Sequence, residues 1–579
     1  MIPGSFVDNR PFWQRALIGF FILLIIAFIP IVLFSSLHPV PAPGQATAPV
    51  HVKILAVNDF HGQLPAGQKL NREAAGSAPV LASYLKMAMN ESPTDATFIA
   101  LPGDVVGASP PESGLMLDEP TMIFFNEFAN GCCGKDSACS ASCNMVATLG
   151  NHEFDKGTAE LMRKINGGDG TTTITHLVDP YPGEKAGYVS ANVVWQANGT
   201  TLFSPYVIRN AGGTKIAFIG ADTTKILSIT IPANIAGVTF LNETESINRY
   251  VPEIQQQGVH AIVVLLHEGG NQDAYVGPTR AGGNVTGSVT GIVAGLDPDV
   301  DVVLSGHTHA FTNAYLNNSG NKPVLVTQAY SYSRAFADID LTIDPATDEI
   351  TQKSARIVPA YADRPPGTTP DPATAVLLAA DEQAVTPLTD RVIAVAAADI
   401  TRDQTDAGES ALGDLVADAQ RTAMHADVAF ITTGTLRADI AKGNITWGDL
   451  YAVQPFSGTV FAMNLTGEQV RNVLEQQWQS PLPPYNLAVS GLMYTFDAGK
   501  PAGHRITDIR VNGVPLDTGA TYRAALMDYL ATGGDGYTVF TRGTGTVPGP
   551  SDVDTLVSYV GSLPQPVNGT TEGRITRTA

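Results

Sequence analysis

The feature of this sequence that most constrains its fold is a pattern repeated through the first half of the chain. Short runs of apolar residues, rich in β-branched side chains, end in Gly, Asp, His or Asn, as in ATFIALPGD, MVATLGN and VDVVLSGHTH. Such runs are typical of buried strands in parallel sheets, and helical stretches such as PVLASYLKMAMN separate several of them. The alternation predicts an α/β layered domain whose ligands bind beyond the carboxyl ends of the strands.

Polar side chains follow the strands at that end each time. They are Asp59, His61, Asp104, Asn151, His152, His267, His307 and His309. A single His at a strand end is usually a satisfied core or surface group, whereas a set at successive strand ends would meet at one edge. Carboxylates and imidazoles without thiolates suit ions such as Zn or Mn. Seven plausible ligands are too many for one ion. They fit two ions about 3.5–4 Å apart that share a bridging Asp, an arrangement that can clamp a phosphoryl displacement.

A change in composition divides the chain into domains. The segment ADRPPGTTPDPATA is rich in Pro and Thr and is typical of a linker, and the residues after it predict a helix. Beyond it, SALGDLVADAQRTAMH predicts a helix and DVAFITTG a strand of a second domain. The predicted boundaries are a first domain at residues 51–360, a linker and helix at 361–388, a second domain at 389–547 and a C-terminal tail at 548–579 with a final helix and a frayed end.

The N-terminal region predicts export. The segment ALIGFFILLIIAFIPIVLF, residues 16–34, has no charge and is long enough to cross a bilayer. Two arginines precede it and no further Lys or Arg follows until Lys53, so the positive-inside rule places the body outside the cytoplasm. The predicted segments are a cytoplasmic N-terminus at residues 1–15, a transmembrane signal anchor at 16–37 and a Pro-rich spacer at 38–50. A cleaved signal peptide is the alternative, and either one gives a periplasmic or extracellular protein.

The four cysteines agree with export. They are Cys132, Cys133, Cys139 and Cys143. An even, clustered set in an exported chain predicts two local disulfides, with three possible pairings. A small zinc knot is the alternative, although the paired C-x-x-C form of a zinc ribbon is missing. Because the cluster shortly precedes GNHE, we also expect the insert to brace that turn or to shape the rim of the site.

The charge of the chain restricts its partners. The formal net charge is −21 over 579 residues. Binding to a nucleic-acid polymer needs clustered Lys and Arg, so the charge argues against it. The acidity is the ordinary means of keeping a protein soluble. The oligomeric state is not predicted.

The motifs NDFHG, PGD, GNHEFD, the lone His267 after a strand and GHTH together resemble the signature of calcineurin-like metallophosphoesterases. With GNHEFDKG and the second domain, the chain resembles the 5′-nucleotidase family, including bacterial periplasmic enzymes that also split UDP-sugars. The resemblance covers about residues 50–547. It implies a four-layer α-β-β-α sandwich followed by an α+β substrate-binding domain that rotates against it.

The resemblance also implies roles for the strand-end residues. One divalent metal would be held by Asp59, His61 and His309, the other by Asn151, His267 and His307, with Asp104 as the bridge. His152 would not be a ligand. It would stabilise the transition state or protonate the leaving oxygen while Asp155 orients it. Glu153 is expected to be structural.

In the second domain the resemblance implies substrate-binding residues. Arg437 would contact phosphate, Phe456 and Tyr529 would stack on the nucleobase, and Asp535 would bind the ribose hydroxyls. The alternatives are a surface ion pair of Arg437 with Asp439, and simple core packing of the two aromatic rings.

This chain departs from the family pattern at two positions. Thr432 replaces an Asn, and Gly408 lies where many members carry an Arg. Arg402 is a candidate to compensate for that lost arginine.

The activity implied is that of an exported, dinuclear-metal phosphohydrolase that removes phosphate from nucleotides through metal-bound hydroxide attack on phosphorus. On the same scaffold, the alternatives are a 2′,3′-cyclic-nucleotide phosphodiesterase with 3′-nucleotidase action and a UDP-sugar hydrolase. A non-catalytic surface binding protein is the alternative of another class.

Overall fold

A computed structural model describes residues 48–91, 94–134, 137–170, 178–281, 283–479 and 485–578. The predicted cytoplasmic N-terminus, the transmembrane anchor and nearly all of the spacer lie outside the described residues. Among the residues described, no helix is both long and apolar enough to cross a membrane.

The first domain contains seventeen strands and seven α-helices in the described part of the chain. The strands are β1 Val50–Ala56, β2 Lys69–Leu70, β3 Glu73–Ala74, β4 Ala96–Pro102, β5 Met145–Thr148, β6 Gly187–Val189, β7 Val193–Trp195, β8 Tyr206–Ala211, β9 Thr214–Asp222, β10 Val238–Phe240, β11 Ile262–His267, β12 Arg280–Ala281, β13 Val302–Ser305, β14 Phe311–Asn317, β15 Pro323–Ala329, β16 Ala335–Asp344 and β17 Glu349–Pro359. The helices are α1 Ala78–Asn90, α2 Pro111–Gly114, α3 Glu119–Asn126, α4 Thr158–Asn166, α5 Ile226–Ile229, α6 Glu243–Gln256 and α7 Ser288–Gly295.

Two large sheets form the centre of this domain. The first has the order β17-β16-β1-β4-β5-β6, with β1, β4, β5 and β6 parallel. The second has the order β12-β14-β15-β13-β11-β9-β8, with β9, β11, β13 and β15 parallel. Apolar residues of both sheets, including Phe98, Leu265 and Leu304, pack in one core. Further cores join α1, α3 and α4 to the first sheet and α6 and α7 to the second. The domain is therefore an α-β-β-α sandwich, as predicted.

The second domain mixes helices with mainly antiparallel sheets. Helix α8 Pro372–Thr389 leads into it, as the composition predicted. Its other helices are α9 Ala411–Ala423, α10 Trp447–Val453, α11 Gly467–Gln476, α12 Asp528–Ala531 and α13 Asp552–Ser562. Its strands are β18 Val392–Ala396, β19 Val428–Thr432, β20 Gly443–Thr446, β21 Thr459–Thr466, β22 Leu487–Ser490, β23 Leu492–Phe496, β24 Ile506–Val511, β25 Val514–Pro515, β26 Thr521–Met527, β27 Thr544–Ser551 and β28 Ile575–Arg577. The main sheet has the order β22-β19-β26-β21-β27. The α+β class of this domain is confirmed.

The end of the chain is more ordered than the sequence predicted. The final helix is confirmed as α13, but the expectation of a frayed end is wrong. Strand β28 pairs with β23 in parallel, and Ile575 packs in the core of the second domain. The Arg574 guanidinium is buried against the carboxylate of Asp418 at 2.7 Å, which ties this last strand to α9.

The four cysteines form two disulfides, as predicted. They join Cys132 to Cys139 and Cys133 to Cys143. The expected bracing of the GNHE turn is wrong, because Cys143 precedes the amino end of β5 whereas the turn follows its carboxyl end. The insert instead packs on β8, where Arg209 donates to the Ser140 carbonyl at 3.1 Å.

The two domains belong to one compact unit that begins at Pro49. Helix α10 of the second domain contacts both α2 and α8. Near the carboxyl ends of the strands, Lys156 of the first domain donates to the Phe456 carbonyl of the second at 3.0 Å. The loops of the second domain therefore lie over the strand ends of the first.

Candidate metal centre and active site

The predicted strand-end residues come together at the carboxyl edge of the two sheets. Asp59, Asp104 and Asn151 follow the parallel strands β1, β4 and β5 of the first sheet. His267 ends β11 and His307 follows β13 in the second sheet. Because the two sheets pack face to face, residues distant in sequence share one buried site.

Two glycines allow the loops to approach closely. A Cβ at Gly103 would lie 2.5 Å from the His267 ring, and one at Gly150 would lie 2.3 Å from an Asp104 carboxylate oxygen. Real Cβ contacts are not this short, so the PGD and GNHE turns need glycine at these positions.

Five of the candidate ligands have left-handed backbone conformations. They are Asp59, His61, Asp104, His307 and His309, with φ of 50°, 51°, 50°, 74° and 56°. Non-glycine residues rarely adopt such values, and where they do, they concentrate at functional sites because the surrounding structure must hold them there. The backbone is thus shaped to direct these side chains.

The side chains form two groups that share one carboxylate. In the first, Asp59, His61, Asp104 and His309 offer ligand atoms that all lie within 4.8 Å of one another. In the second, Asp104, His267 and His307 do the same. The Nε2 atoms of His61 and His309 face each other at 3.0 Å, and His267 Nε2 lies 3.0 Å from Asp104 Oδ2.

Asn151 lies beside the second group. The Asn151 Oδ1 atom lies 3.0 Å from His307 Nδ1, so the amide oxygen is next to the second group of ligand atoms. All seven residues predicted to bind metal are therefore brought together.

Charge and burial at this site favour a bound cation. Asp59 and Asp104 are 0% and 1% exposed, and in the described part of the chain no Lys or Arg forms an ion pair with either. Burial would raise the pKa of Asp104, but His267 and His152 outweigh it and hold that pKa well below its usual range. Buried carboxylates need compensating positive charge. The donor set and the missing cationic partner fit divalent metal ions.

The imidazoles are prepared to act as ligands. Burial lowers the pKa of His61 well below its usual value and that of His307 to about 4, so both rings are neutral at physiological pH. The Nδ1 atoms of His61 and His267 lie 2.9 Å and 3.0 Å from the carbonyls of Gly107 and Pro102. At His61, donation from Nδ1–H to the carbonyl leaves Nε2 with its lone pair directed into the site. At His267, burial lowers the pKa, but the Asp104 carboxylate 3.0 Å from Nε2 outweighs burial and raises that pKa well above its usual value.

Glu153 holds the two metal-site loops together, in agreement with the structural role expected for it. Its carboxylate accepts hydrogen bonds from the backbone N–H groups of Asp104, Val105 and Gly150 at 2.9, 2.9 and 2.6 Å. Burial and the nearby Asp104 charge raise the pKa of Glu153 to about 7.

His152 stands beside the cluster and is oriented from two sides. Its Nδ1 is 2.8 Å from Asp155 Oδ2, and its Nε2 is 3.2 Å from Arg437 Nη2 of the second domain. Arginine can only donate, so Nε2 accepts and the ring proton lies on Nδ1, directed at Asp155. Burial lowers the pKa of His152, but the Asp155 and Asp104 carboxylates outweigh burial and raise it.

Arg437 has no carboxylate partner in the part of the chain that the structure describes. Its Cζ lies 5.4 Å from the centre of the Phe456 ring, and that ring stacks beside His152 at 6.2 Å. The alternative of a surface pair with Asp439 is wrong, because Asp439 binds Arg402 Nε at 2.8 Å. Arg402, the candidate for a second phosphate contact, is bound to this carboxylate and also donates to the carbonyls of Leu436 and Arg437 at 3.3 and 2.9 Å.

Tyr529 and Asp535, both predicted to bind substrate, lie together and are hydrogen-bonded to each other. The Tyr529 hydroxyl donates to Asp535 Oδ1 at 2.7 Å, and Thr432 donates to Oδ2. Asp535 is only 5% exposed, and burial raises its pKa. Thr432, which stands where the family has Asn, thus donates to the Asp535 carboxylate, the group that the resemblance predicts to bind the ribose hydroxyls.

Two residues at the site were not found by sequence reasoning. Tyr332, in the loop between β15 and β16, places its ring centre 5.4 Å and 5.1 Å from those of His61 and His309. Lys156 joins the domains through the Phe456 carbonyl. Lys156 could have been found because it lies inside the GNHEFDKG motif. Tyr332 lies outside every motif, so no feature of the sequence indicated that it belongs to the site.

Comparisons with known proteins agree with this geometry. Residues 52–311 match the family described as "Calcineurin-like phosphoesterase", and residues 390–542 match "5'-nucleotidase, C-terminal domain". The 5′-nucleotidase precursor of Thermus thermophilus has a solved structure that is 26% identical, with a TM-score of 0.72. The match covers 91% of this chain and 99% of that one.

Two relatives are longer than this chain. "Cell wall protein Lmo0130" of Listeria monocytogenes is 32% identical over 576 residues, covering 93% of this chain and 70% of that protein. "Endonuclease YhcR" of Bacillus subtilis is 32% identical over 562 residues, covering 94% of this chain. The chain spans 43% of the Bacillus protein's length.

Proposed function

The chain belongs to the 5′-nucleotidase family of calcineurin-like phosphoesterases, and on that premise we propose that it is an exported phosphohydrolase that uses two divalent metal ions to remove phosphate from nucleotides. The observation that carries the proposal is the position of Asp104. Its carboxylate belongs to both groups of candidate ligands, with His152 and Arg437 beside them.

The protein's own side chains define the ion sites and orient the substrate. Asp59, His61 and His309 would hold one ion, Asn151, His267 and His307 the other, and Asp104 would bridge them. Such a pair of ions supplies Lewis acidity towards phosphoryl oxygens and an activated water as the nucleophile.

Arg437 would bind the phosphoryl group from the side of the second domain. Its guanidinium is fixed between Phe456 and His152 and has no carboxylate partner in the described part of the chain. A planar guanidinium can donate two parallel hydrogen bonds to phosphate oxygens. Arg437 can therefore neutralise negative charge that develops opposite the metal site.

His152 would act on the reacting phosphoryl group or on the leaving oxygen. The Asp155 carboxylate holds Nδ1–H, which leaves Nε2 as the atom that faces the substrate. When phosphate binds the guanidinium of Arg437, His152 Nε2 is free to take up a proton from solvent, which the raised pKa of His152 favours, and that proton can then be given to the leaving nucleoside oxygen. A positioned general acid of this kind contributes about 10²–10⁴-fold.

Phe456 would carry the nucleobase, since its half-buried ring lies next to Arg437 in the region between the two domains. Stacking tolerates any base and contributes about 1–3 kcal/mol. We therefore expect several nucleotides to be accepted. Tyr529 and Asp535 would take part only if a bound sugar displaced the hydrogen bond between them.

An exported location is supported by two disulfides, by the word precursor in the name of the Thermus relative and by the cell-wall name of the Listeria relative. Disulfides persist in oxidising compartments and are rare in the cytosol. The apolar segment at residues 16–37 would be the anchor or the signal.

A substrate panel tests the proposal. The protein from His51 onward is assayed for phosphate release from AMP, ADP, ATP, UDP-glucose, 3′-AMP and 2′,3′-cyclic AMP, with Mn or Zn and with chelator. The proposal expects chelator-sensitive release from AMP. Turnover confined to the cyclic or UDP-sugar substrates would replace it with one of the related activities. No turnover with any metal would favour a binding protein.

A further inference from the structure

Tyr332 occupies a strained position at the metal site. It lies in the loop between β15 and β16 with a left-handed φ of 58°. Its backbone N–H donates to the Asp59 carbonyl at 2.8 Å. Tyr332 and Ser333, with φ of 58° and 60°, are the two central residues of a tight turn in which the Arg334 N–H donates to the Ser331 carbonyl at 3.3 Å. This turn and the contact with the Asp59 loop fix the backbone that presents the Tyr332 ring.

The Tyr332 ring covers one of the two ligand groups. Its centre lies 5.4 Å and 5.1 Å from the ring centres of His61 and His309, and the Arg334 guanidinium lies 5.4 Å from it. The half-buried ring therefore contacts both ligand histidines and Arg334. Its hydroxyl lies 3.4 Å from Arg437 Nη1.

The Tyr332 hydroxyl meets the phosphate-binding arginine of the other domain. It accepts from Arg437 Nη1 at 3.4 Å. Among the residues described, no acceptor for its own proton lies within hydrogen-bonding distance. Arg437 Nη2 also lies 3.2 Å from His152 Nε2, so one guanidinium joins the Tyr332 hydroxyl to the imidazole beside the ligand groups.

We propose that Tyr332 is a catalytic residue that donates its hydroxyl hydrogen bond to a nonbridging phosphoryl oxygen of the substrate, beside the guanidinium of Arg437. The inference rests on the proposed phosphohydrolase function. A nonbridging oxygen is the target because the hydroxyl is paired with Arg437, whose charge suits the phosphoryl oxygens. His152 remains the group that serves the leaving oxygen.

The test compares Tyr332→Phe with Tyr330→Phe. Both substitutions remove only a hydroxyl and keep the ring, and the two residues belong to the same loop with left-handed φ. Tyr330 is a matched control because its ring packs on Phe311 at 5.9 Å and not on the ligand histidines. A hydrogen bond to a charged group corresponds to about a 10- to 100-fold effect.

Phosphate release is measured from AMP and from p-nitrophenyl phosphate, whose leaving groups differ greatly in basicity. The inference predicts that Tyr332→Phe lowers kcat/KM by a similar factor for both substrates, while Tyr330→Phe matches the wild type. Metal content measured on the same samples should be equal in all three proteins. A loss confined to AMP would assign the hydroxyl to the leaving oxygen and overturn the inference.

Calorimetric titration of the Mn-loaded protein with inorganic phosphate separates this inference from the proposed function. If the wild type released no phosphate from any substrate, the proposed function would fail, but phosphate binding would still test Tyr332. Weaker phosphate binding in Tyr332→Phe than in Tyr330→Phe supports the inference. Equal binding, or an unchanged kcat/KM in Tyr332→Phe, contradicts it.

Discussion

Arg437 of the second domain lies 3.2 Å from His152 of the first. This contact joins the loop after β19 to the turn after β5, two elements that are nearly three hundred residues apart in the chain. It places a cation that has no carboxylate partner among the described residues directly beside the group predicted to handle the proton. Side chains of both domains therefore form the candidate active site.

The carboxylate of Asp155 should control the tautomer and orientation of His152. Asp155→Asn keeps the size of the side chain but removes the charge that holds Nδ1–H at 2.8 Å. We expect kcat for AMP to fall by about 10²–10⁴-fold with KM little changed. Steady-state kinetics test this, and wild-type kcat in Asp155→Asn would exclude the assigned role.

Arg402 should act as a positioning residue for Arg437. It binds the carbonyls on both sides of the Arg437 Cα and the carboxylate of Asp439. Arg402→Ala should raise KM for AMP about tenfold with little change in kcat, because phosphate binding is weakened in the ground state and the transition state alike.

The matched control for Arg402 is Arg510→Ala. Arg510 forms an equally exposed pair with Asp508 at 2.9 Å in the same domain, away from the Arg437 loop. The Arg510→Ala substitution should leave KM for AMP unchanged. In an Arg437→Ala background, Arg402→Ala should have no further effect on KM. An additive loss in that background would mean that Arg402 acts through overall stability.

The disulfides should stabilise the protein without affecting the chemistry, because they lie at the amino end of β5. Replacing Cys132 and Cys139 with Ser should lower the free energy of unfolding by about 2–3 kcal/mol. We expect kcat and KM for AMP to stay at wild-type values below the melting temperature. A selective loss of kcat in this folded variant would restore the rejected idea that the insert braces the GNHE turn.

Asp381 should make stability depend on pH. It is 0% exposed in helix α8, neither carboxylate oxygen has a hydrogen-bond partner in the described part of the chain, and burial with Glu112 and Glu382 raises its pKa to about 8. The folded state therefore keeps the proton that the unfolded chain releases near pH 4. Its contribution to stability is full below about pH 4 and falls by up to about 1.4 kcal/mol per pH unit until about pH 8.

Asp381→Asn removes this titration. Its melting temperature relative to the wild type should rise as the pH is raised from about 5 to about 9. The neighbouring exposed residue gives the control, and Glu382→Gln should show a much smaller trend. A difference between Asp381→Asn and the wild type that does not change with pH would mean that the carboxyl is not protonated in the fold.

The sheet strands and the metal-site residues could be predicted from sequence because each carries a local signal. Strands β4, β5 and β13 are apolar runs, and Asp104, Asn151 and His307 follow them directly. Parallel strands bring their carboxyl ends to one edge, so local order was enough to predict a shared site. Nothing local showed that the backbone at Asp59 or His309 would be left-handed.

The features that were missed depend on contacts between distant segments. The pairing of Arg402 with Asp439, the bond between Thr432 and Asp535 and the contact of the Tyr332 ring with His61 arise from tertiary packing. The expected frayed end was wrong for the same reason, since β28 is a strand only because β23 lies beside it. Composition and periodicity do not encode such partners.

The most direct test of the account is the metal content and AMP turnover of the wild type and of Asp104→Ala, measured on the same samples by elemental analysis and phosphate release. Since Asp104 is shared by both ligand groups, the account predicts two divalent ions per wild-type chain and chelator-sensitive turnover. Asp104→Ala should lose ions and activity together. Full phosphate release by Asp104→Ala, or by a wild-type chain that holds no more than one ion, would contradict it.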